Sequence, residues 1–129
     1  MNTLQLNHVA LHVADVARSC EFYEQVMRLE PLERPAFSFP GAWFRIGVDQ
    51  ELHLIGGRDA NDAANGQSRG NHWAMMVDDM DAWETHLQQR GIAYAPRRSR
   101  PDGAFQIFLP DPDGHMIELC TPPPSSPHN

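Results

Sequence analysis

One sentence is written twice in this chain. "LNHVALHVADV" (Leu6 to Val16) aligns with "GNHWAMMVDDM" (Gly70 to Met80) at an offset of 64, matching Asn7 with Asn71, His8 with His72 and Asp15 with Asp79. Further on, "ELHLI" (Glu51 to Ile55) falls on "MIELC" (Met116 to Cys120) at an offset of 65, which sets His53 against Glu118. A chain that repeats its own pattern at half its length folds as two like modules. Residues repeated within the pattern occupy equivalent places in each.

Strand alternation then says where the side chains go. In Leu6 to Val13, His8 shares a face with Leu6, Ala10 and His12, while Asn7, Val9, Leu11 and Val13 share the other. Asp15 caps a helix through about Met27, in which Phe22, Tyr23, Val26 and Met27 recur with helical spacing, and Pro31 is expected to stop it. Short apolar runs at 32–39, 42–48 and 51–55, divided by Pro40-Gly41 and Asp49-Gln50, read as strands. The second copy repeats this order: a strand at 71–77, a helix capped by Asp79 and ended at Gly91, and strands at 92–96, 104–109 and 115–121. "DPDG" (Asp111 to Gly114) is a hairpin turn. "GAW" (Gly41 to Trp43) matches "GAF" (Gly103 to Phe105) at an offset of 62, implying a turn three residues longer in the second copy.

The expected fold is therefore α+β, two tandem βαβββ modules whose mixed sheets form a cup. Residues 1–129 make a single domain by size, with module one at 4–56, a linker at 57–69, module two at 70–121 and a proline-rich, frayed tail at 122–129. A net charge of −7 argues against non-specific nucleic-acid binding. No apolar run suits a membrane span, the N-terminus does not read as a signal peptide, and two cysteines do not make a disulfide framework. The expectation is a cytoplasmic protein with a small-molecule substrate and neither membrane nor nucleic-acid partners.

The apolar faces carrying Val9, Leu11, Val13, Trp73, Met75 and Val77 pack under helices, so His8 and His72 point the other way. Three imidazoles and one carboxylate at duplicated positions (His8, His53, His72 and Glu118) suit a divalent transition metal such as Zn, Ni, Co, Mn or Fe(II). Glu51 is read mainly as solvated, with a lesser reading as a base, and His12 as pocket lining. His115 is expected to face outward, and His86 and His128 to lie on the surface. Arg34, Arg45, Arg97, Arg98 and Arg100 suit an anionic substrate tail, although "RRSR" (Arg97 to Arg100) reads first as a solvated loop. Cys20 and Cys120 are packing residues.

On "NHVALHVADVARSCEFYEQVM" (Asn7 to Met27), "NHWAMMVDD" (Asn71 to Asp79) and "DPDGHMIEL" (Asp111 to Leu119), the chain resembles the vicinal-oxygen-chelate superfamily. That family includes glyoxalase I, methylmalonyl-CoA epimerase, extradiol dioxygenases, fosfomycin-modifying transferases and bleomycin resistance proteins. The resemblance implies metal ligands at His8, His72 and Glu118. His53 stands at a fourth position that is glutamate or glutamine in the glyoxalases and epimerases. It further implies a substrate with adjacent oxygens and a glyoxalase-like lyase or isomerase using Glu118 as ligand and base. The alternatives are an extradiol dioxygenase, a fosfomycin-type thiol transferase and a metal-free drug-binding module. A homodimer is implied as well. In one arrangement His8 and His53 meet the partner's His72 and the partner's Glu118; pairing within one chain stays open.

Overall fold

The computed structural model describes residues 1–57 and 71–124. The chain divides into two compact units, Met1–Ala63 and Ala64–Asn129. Most of the expected 57–69 linker, and the tail beyond residue 124, lie outside the described residues.

In the first unit β1 (His8–His12) is followed by α1 (Val16–Glu21) and then a π-helical turn, Phe22–Val26. Strands β2 (Glu30–Leu32), β3 (Gly41–Ile46) and β4 (Gln50–Ile55) complete it, in the sheet order β1-β4-β3-β2. The second unit runs β5 (His72–Met76), α2 (Met80–Gln89), β6 (Arg98–Ser99), β7 (Phe105–Pro110) and β8 (Met116–Cys120), in the order β5-β8-β7-β6. In both sheets the first strand pairs parallel to the fourth and the remaining pairs are antiparallel.

Local chemistry explains the helix ends. Asp15 accepts a hydrogen bond from the Arg18 N–H at 3.1 Å and Asp79 one from the Ala82 N–H at 3.0 Å, so both aspartates cap as expected. Gly91 closes α2 with a positive φ of 68°, while the N–H groups of Gly91 and Ile92 return to the carbonyls of Gln88 and Leu87. The first helix ends where the sequence expects, although Pro31 is not what stops it. It stops at Met27, where Arg28 takes the left-handed conformation (φ 60°) and the Leu29 N–H reaches back to the Tyr23 carbonyl at 2.9 Å. Pro31 lies beyond, inside β2, tolerated because β2 is an edge strand.

Two expected strands are shorter or displaced. Residues 33–40 are irregular rather than a strand; Pro35 and Pro40 remove backbone donors, and the Arg34 guanidinium packs over Phe37 and Phe39 while donating to the Phe39 carbonyl. Residues 92–96 keep one sheet-like bond, from the Ala95 N–H to the Phe108 carbonyl, and pairing begins only at Arg98.

Register confirms the repeat and corrects one part of it. Ala10 pairs with His53, and Ala74 with Glu118. Trp43 pairs with His53, and Phe108 with Glu118, so the counterpart of Trp43 is Phe108 and not Phe105. Ile46 pairs with Gln50; their counterparts 65 residues on, Asp111 and His115, are also joined, the Asp111 N–H donating to the His115 carbonyl at 2.9 Å. The two hairpins thus have the same length, and the "GAW"/"GAF" match marks no longer turn.

Each core lies on the helix side of its sheet. Val13, Tyr23, Met27, Phe44, Leu52 and Leu54 are buried in the first unit; Met80, Leu87, Ile107, Leu109, Ile117 and Leu119 in the second. Burying such side chains contributes roughly 1.5–3 kcal/mol each. His8 and His72 stand on the opposite face, both exposed, where side chains are left for chemistry.

Candidate metal centre

The second unit brings an imidazole and a carboxylate together. Because Ala74 and Glu118 are register partners on the parallel β5–β8 ladder, His72 sits one inward step from Glu118. The His72 Nε2 lies 3.1 Å from Glu118 Oε1. Gln106 on β7 donates its Nε2 to Glu118 Oε2 at 3.0 Å, so both carboxylate oxygens are engaged. This matters because Glu118 is only 6% exposed, and a buried carboxylate is costly unless hydrogen-bonded. Phe108 meets the His72 ring edge-on at 5.6 Å and limits its rotation.

These groups open onto a cavity of about 580 Å³ whose wall also includes Arg98 and Arg100. Arg100 is paired with Asp102, which raises the guanidinium's proton affinity and holds the Asp102 carboxyl below its ordinary value. The Arg98 guanidinium lies 5.5 Å from the Phe108 ring centre. The arginine run is thus partly strand β6 and partly cavity wall, not simply a solvated loop. Arg97 is turned elsewhere, to Asp81 and Glu84.

In the first unit the His8 and His53 rings stack at 4.2 Å with 16° between planes. Trp43 covers the other face of His53 at 3.9 Å and 2°. His53 Nε2 pairs with Glu51 Oε1 at 2.8 Å, and His8 Nδ1 with Asn7 Oδ1 at 2.7 Å. Glu51 is therefore a partner of His53 and not merely solvated. His12 is half-buried at the end of β1, and His86 is half-buried against Trp83. His115 is buried, 8% exposed, contrary to its expected outward position: it shares the parity of Ile117 and Leu119, which face the core, and Asp111 Oδ1 holds the turn by accepting from the His115 and Asp113 N–H groups. Cys120 is buried, and burial followed by the Glu118 charge pushes its thiol above the ordinary value; burial and Glu24 do the same for Cys20.

The four candidate donors are thus gathered as two pairs, one in each unit. Among the described residues no group of three or more His, Cys, Asp or Glu is drawn together closely enough to hold a metal. The second pair fits a cation on its spacing: two donors side by side on one ion, each about 2.1 Å from it, stand roughly 3.0–3.4 Å apart. An imidazole with a carboxylate is also a donor set that divalent transition ions accept. Gln106 was not singled out from the sequence. Its only signal there is alternation, which puts it on the Phe108 face of β7. Among the described residues no helix is long and apolar enough to cross a membrane.

Two β-α-β-β-β units with matching registers, each offering paired donors from its first and fourth strands, define a two-module α+β protein of the vicinal-oxygen-chelate type. The chain belongs to the Glyoxalase/Bleomycin resistance protein/Dioxygenase superfamily, whose profile matches residues 5–119. It is 31% identical over 127 residues to the protein named Glyoxylase I 4 of Arabidopsis thaliana, covering 93% of this chain and 72% of that one. It is 29% identical over 125 residues to the metallothiol transferase FosB of Bacillus licheniformis, covering 92% and 75%. Among solved structures, a putative glyoxalase family protein from Bacillus anthracis superimposes with a TM-score of 0.78 at 25% identity, covering 94% of this chain and 98% of that one.

Proposed function

We propose that this protein is a divalent-metal lyase or isomerase of the glyoxalase I kind, acting on a small substrate with adjacent oxygens. The observation that carries the reading is the His72–Glu118 pair, 3.1 Å apart and opening onto a cavity with arginines in its wall. In this proposal His8, His72 and Glu118 hold the cation, His53 is the fourth candidate, and the dimer implied by the family brings the pairs together. A bound divalent ion would supply Lewis acidity, stabilising negative charge on a substrate oxygen by several kcal/mol.

The chain's own residues supply the rest. Glu118 is the carboxylate placed to take a proton from carbon next to a carbonyl and to return it to the neighbouring carbon, an isomerisation that needs no oxidant. Gln106 holds Glu118 Oε2, so Oε1, the oxygen toward His72, is the one that would hold the cation and, only when released from it, serve as the base. Arg98 offers a positive charge to an anionic substrate tail, and Phe108 gives the cavity an apolar side.

A second reading, a thiol transferase, is favoured by the FosB relative and by the "DPDGH" turn at Asp111 to His115.

Elemental analysis of protein purified without added metal, followed by assay on a methylglyoxal–thiol adduct, tests the proposal. Bound transition metal and turnover that falls at least about 100-fold in both His72→Ala and Glu118→Ala are expected. Turnover that persists in both variants would overturn it. Turnover only when fosfomycin and a thiol are supplied would move the assignment to the second reading.

A further inference from the structure

The repeat places an arginine at the same point in both units, a match that likeness of sequence does not show. In the first sheet Glu30 pairs with Arg45, Pro31 with Phe44 and Leu32 with Trp43. Continued past Leu32, that register brings Arg34 to Gly41, and the guanidinium lies there. A Cβ added at Gly41 would stand 3.1 Å from Arg34 Nη2 and 3.2 Å from its Cζ. In the second sheet Arg98 pairs with Gln106, the counterpart of Gly41. Gly41 shares its face of β3 with Trp43, whose ring stacks on His53, so Arg34 reaches the side of the sheet away from the core.

Arg34 is a charge that the protein does not balance. Arg45, Arg97 and Arg100 are each paired with carboxylates, on Glu30, on Asp81 and Glu84, and on Asp102. Arg34 has no such partner among the described residues. Its Nη2 donates to the Phe39 carbonyl at 2.8 Å, while Nε is buried and meets no acceptor. A buried donor left without a bond is costly. Two rings hold the group in place, with Cζ 5.0 Å from the Phe37 ring centre and 4.9 Å from that of Phe39. A ring attracts the charge but takes none of the in-plane N–H bonds, and that planar edge matches the two oxygens of a carboxylate. Phe37 and Phe39 are themselves 47% and 41% exposed, so apolar ring surface lies open beside the charge. It runs on to Trp43, whose ring centre is 6.1 Å from that of Phe37.

We infer that Arg34, Phe37 and Phe39 form a binding site for an aryl carboxylate, which sets its carboxylate on the guanidinium and its flat apolar body against the rings. The site lies wholly within the first unit and uses none of the proposed metal ligands. Both parts of the ligand are needed. With a net charge of −7 the protein as a whole repels anions, so the local attraction of one arginine must be joined by ring contact. Glycine at position 41 is the condition for the site, because a side chain there would fill the place the guanidinium takes. The second unit spends the equivalent place on Gln106, and its Arg98 stands 5.5 Å from the Phe108 ring instead.

Binding of 2-naphthoate to the full chain tests this, with 2-naphthamide as a neutral probe of the same shape and acetate as an anion without a ring. Affinity would be measured by calorimetry and the Arg34 Nε–H signal by nitrogen–proton NMR, identified by its loss in Arg34→Gln, with circular dichroism as a check on folding. The wild-type chain should bind 2-naphthoate at least about tenfold more tightly than either other probe, with or without a chelator present. The Arg34 signal should shift with 2-naphthoate and not with the amide. Arg34→Gln should weaken binding at least about tenfold, and Arg34→Lys, which keeps the charge without the planar edge, should fall between it and the wild type. Phe37→Leu should weaken 2-naphthoate more than acetate, whereas Arg45→Gln, at an arginine already paired, should bind as the wild type does. Equal binding of the amide, or wild-type affinity in Arg34→Gln, overturns the proposal. So does affinity lost to the chelator, which puts the carboxylate on a metal, or lost in Arg98→Gln and kept in Arg34→Gln, which puts it in the second unit. An Arg34 signal unmoved by 2-naphthoate overturns it whatever the variants do.

Discussion

The two halves share a backbone plan and differ in what they do with it. In the first, His53 stands under Trp43 and against His8, its edge tied to Glu51. In the second, Glu118 stands at the same register position under Phe108, with one oxygen toward His72 and the other toward Gln106. One half stacks its candidate donor between ring faces; the other leaves a carboxylate oxygen and an imidazole nitrogen at cation-sharing distance beside a cavity. Duplication conserves position, and chemistry then diverges through the neighbours. Position 41 in β3 is glycine, where an added Cβ would meet the Leu54 carbonyl oxygen at 2.3 Å, while its counterpart in β7 is Gln106, which grips Glu118.

Four measurements test how far the two halves differ. The largest effect is expected in the cores, where the halves should behave alike. Leu54→Ala and Leu119→Ala, 1% and 0% exposed at equivalent positions, should each cost about 3 kcal/mol in urea unfolding. A difference of more than about 1.5 kcal/mol between them would mean that the halves are not energetically equivalent. Next is the neighbour that sets the halves apart. Gln106→Ala should weaken metal binding about tenfold while leaving the unfolding midpoint nearly unchanged, since outer partners of ligands carry contributions of that order. Smaller again are the caps: Asp15→Ala and Asp79→Ala should each cost about 1 kcal/mol by thermal denaturation, with no change in metal affinity. The smallest effect concerns the thiols. Burial raises both above the ordinary value, so Cys20 and Cys120 should react with iodoacetamide at neutral pH more slowly than a free thiol. Fast labelling of Cys120 would show that β8 opens readily.

Much of this was legible in the chain itself, and the reasons are specific. Asp15, Asp79 and Gly91 act through local backbone geometry, which a short window contains. The His8/His72 and His53/Glu118 correspondence follows from the internal repeat at offsets of 64 and 65, and the ladders bear it out. The Glu51–His53 pair was also within reach, because residues two apart on a strand share a face, but nothing local says whether such a pair is solvated or joined. Gln106 meets Glu118 only after β7 and β8 are in register, a contact across the hairpin. The mistaken match of Trp43 with Phe105 arose because three small and aromatic residues recur easily; cross-strand pairing, not likeness of side chains, decides the counterpart. His115 lies inward because it shares the parity of Ile117 and Leu119, which face the core, with Asp111 holding the turn that leads into the strand.

The hairpins of equal length carry a final consequence. In a pleated strand, parity decides which side of the sheet a residue occupies, so one residue added between β3 and β4, or between β7 and β8, would send His53 or Glu118 to the helix side and a core residue outward. Descendants of the duplicated ancestor could therefore vary the identity of these side chains, and even the count of residues upstream of the hairpin, where the offset moves from 64 at His8 to 65 at His53, but not the length of the hairpin itself. Divergence at position 53 had to come by exchange of one residue for another, never by a shift of frame along the strand.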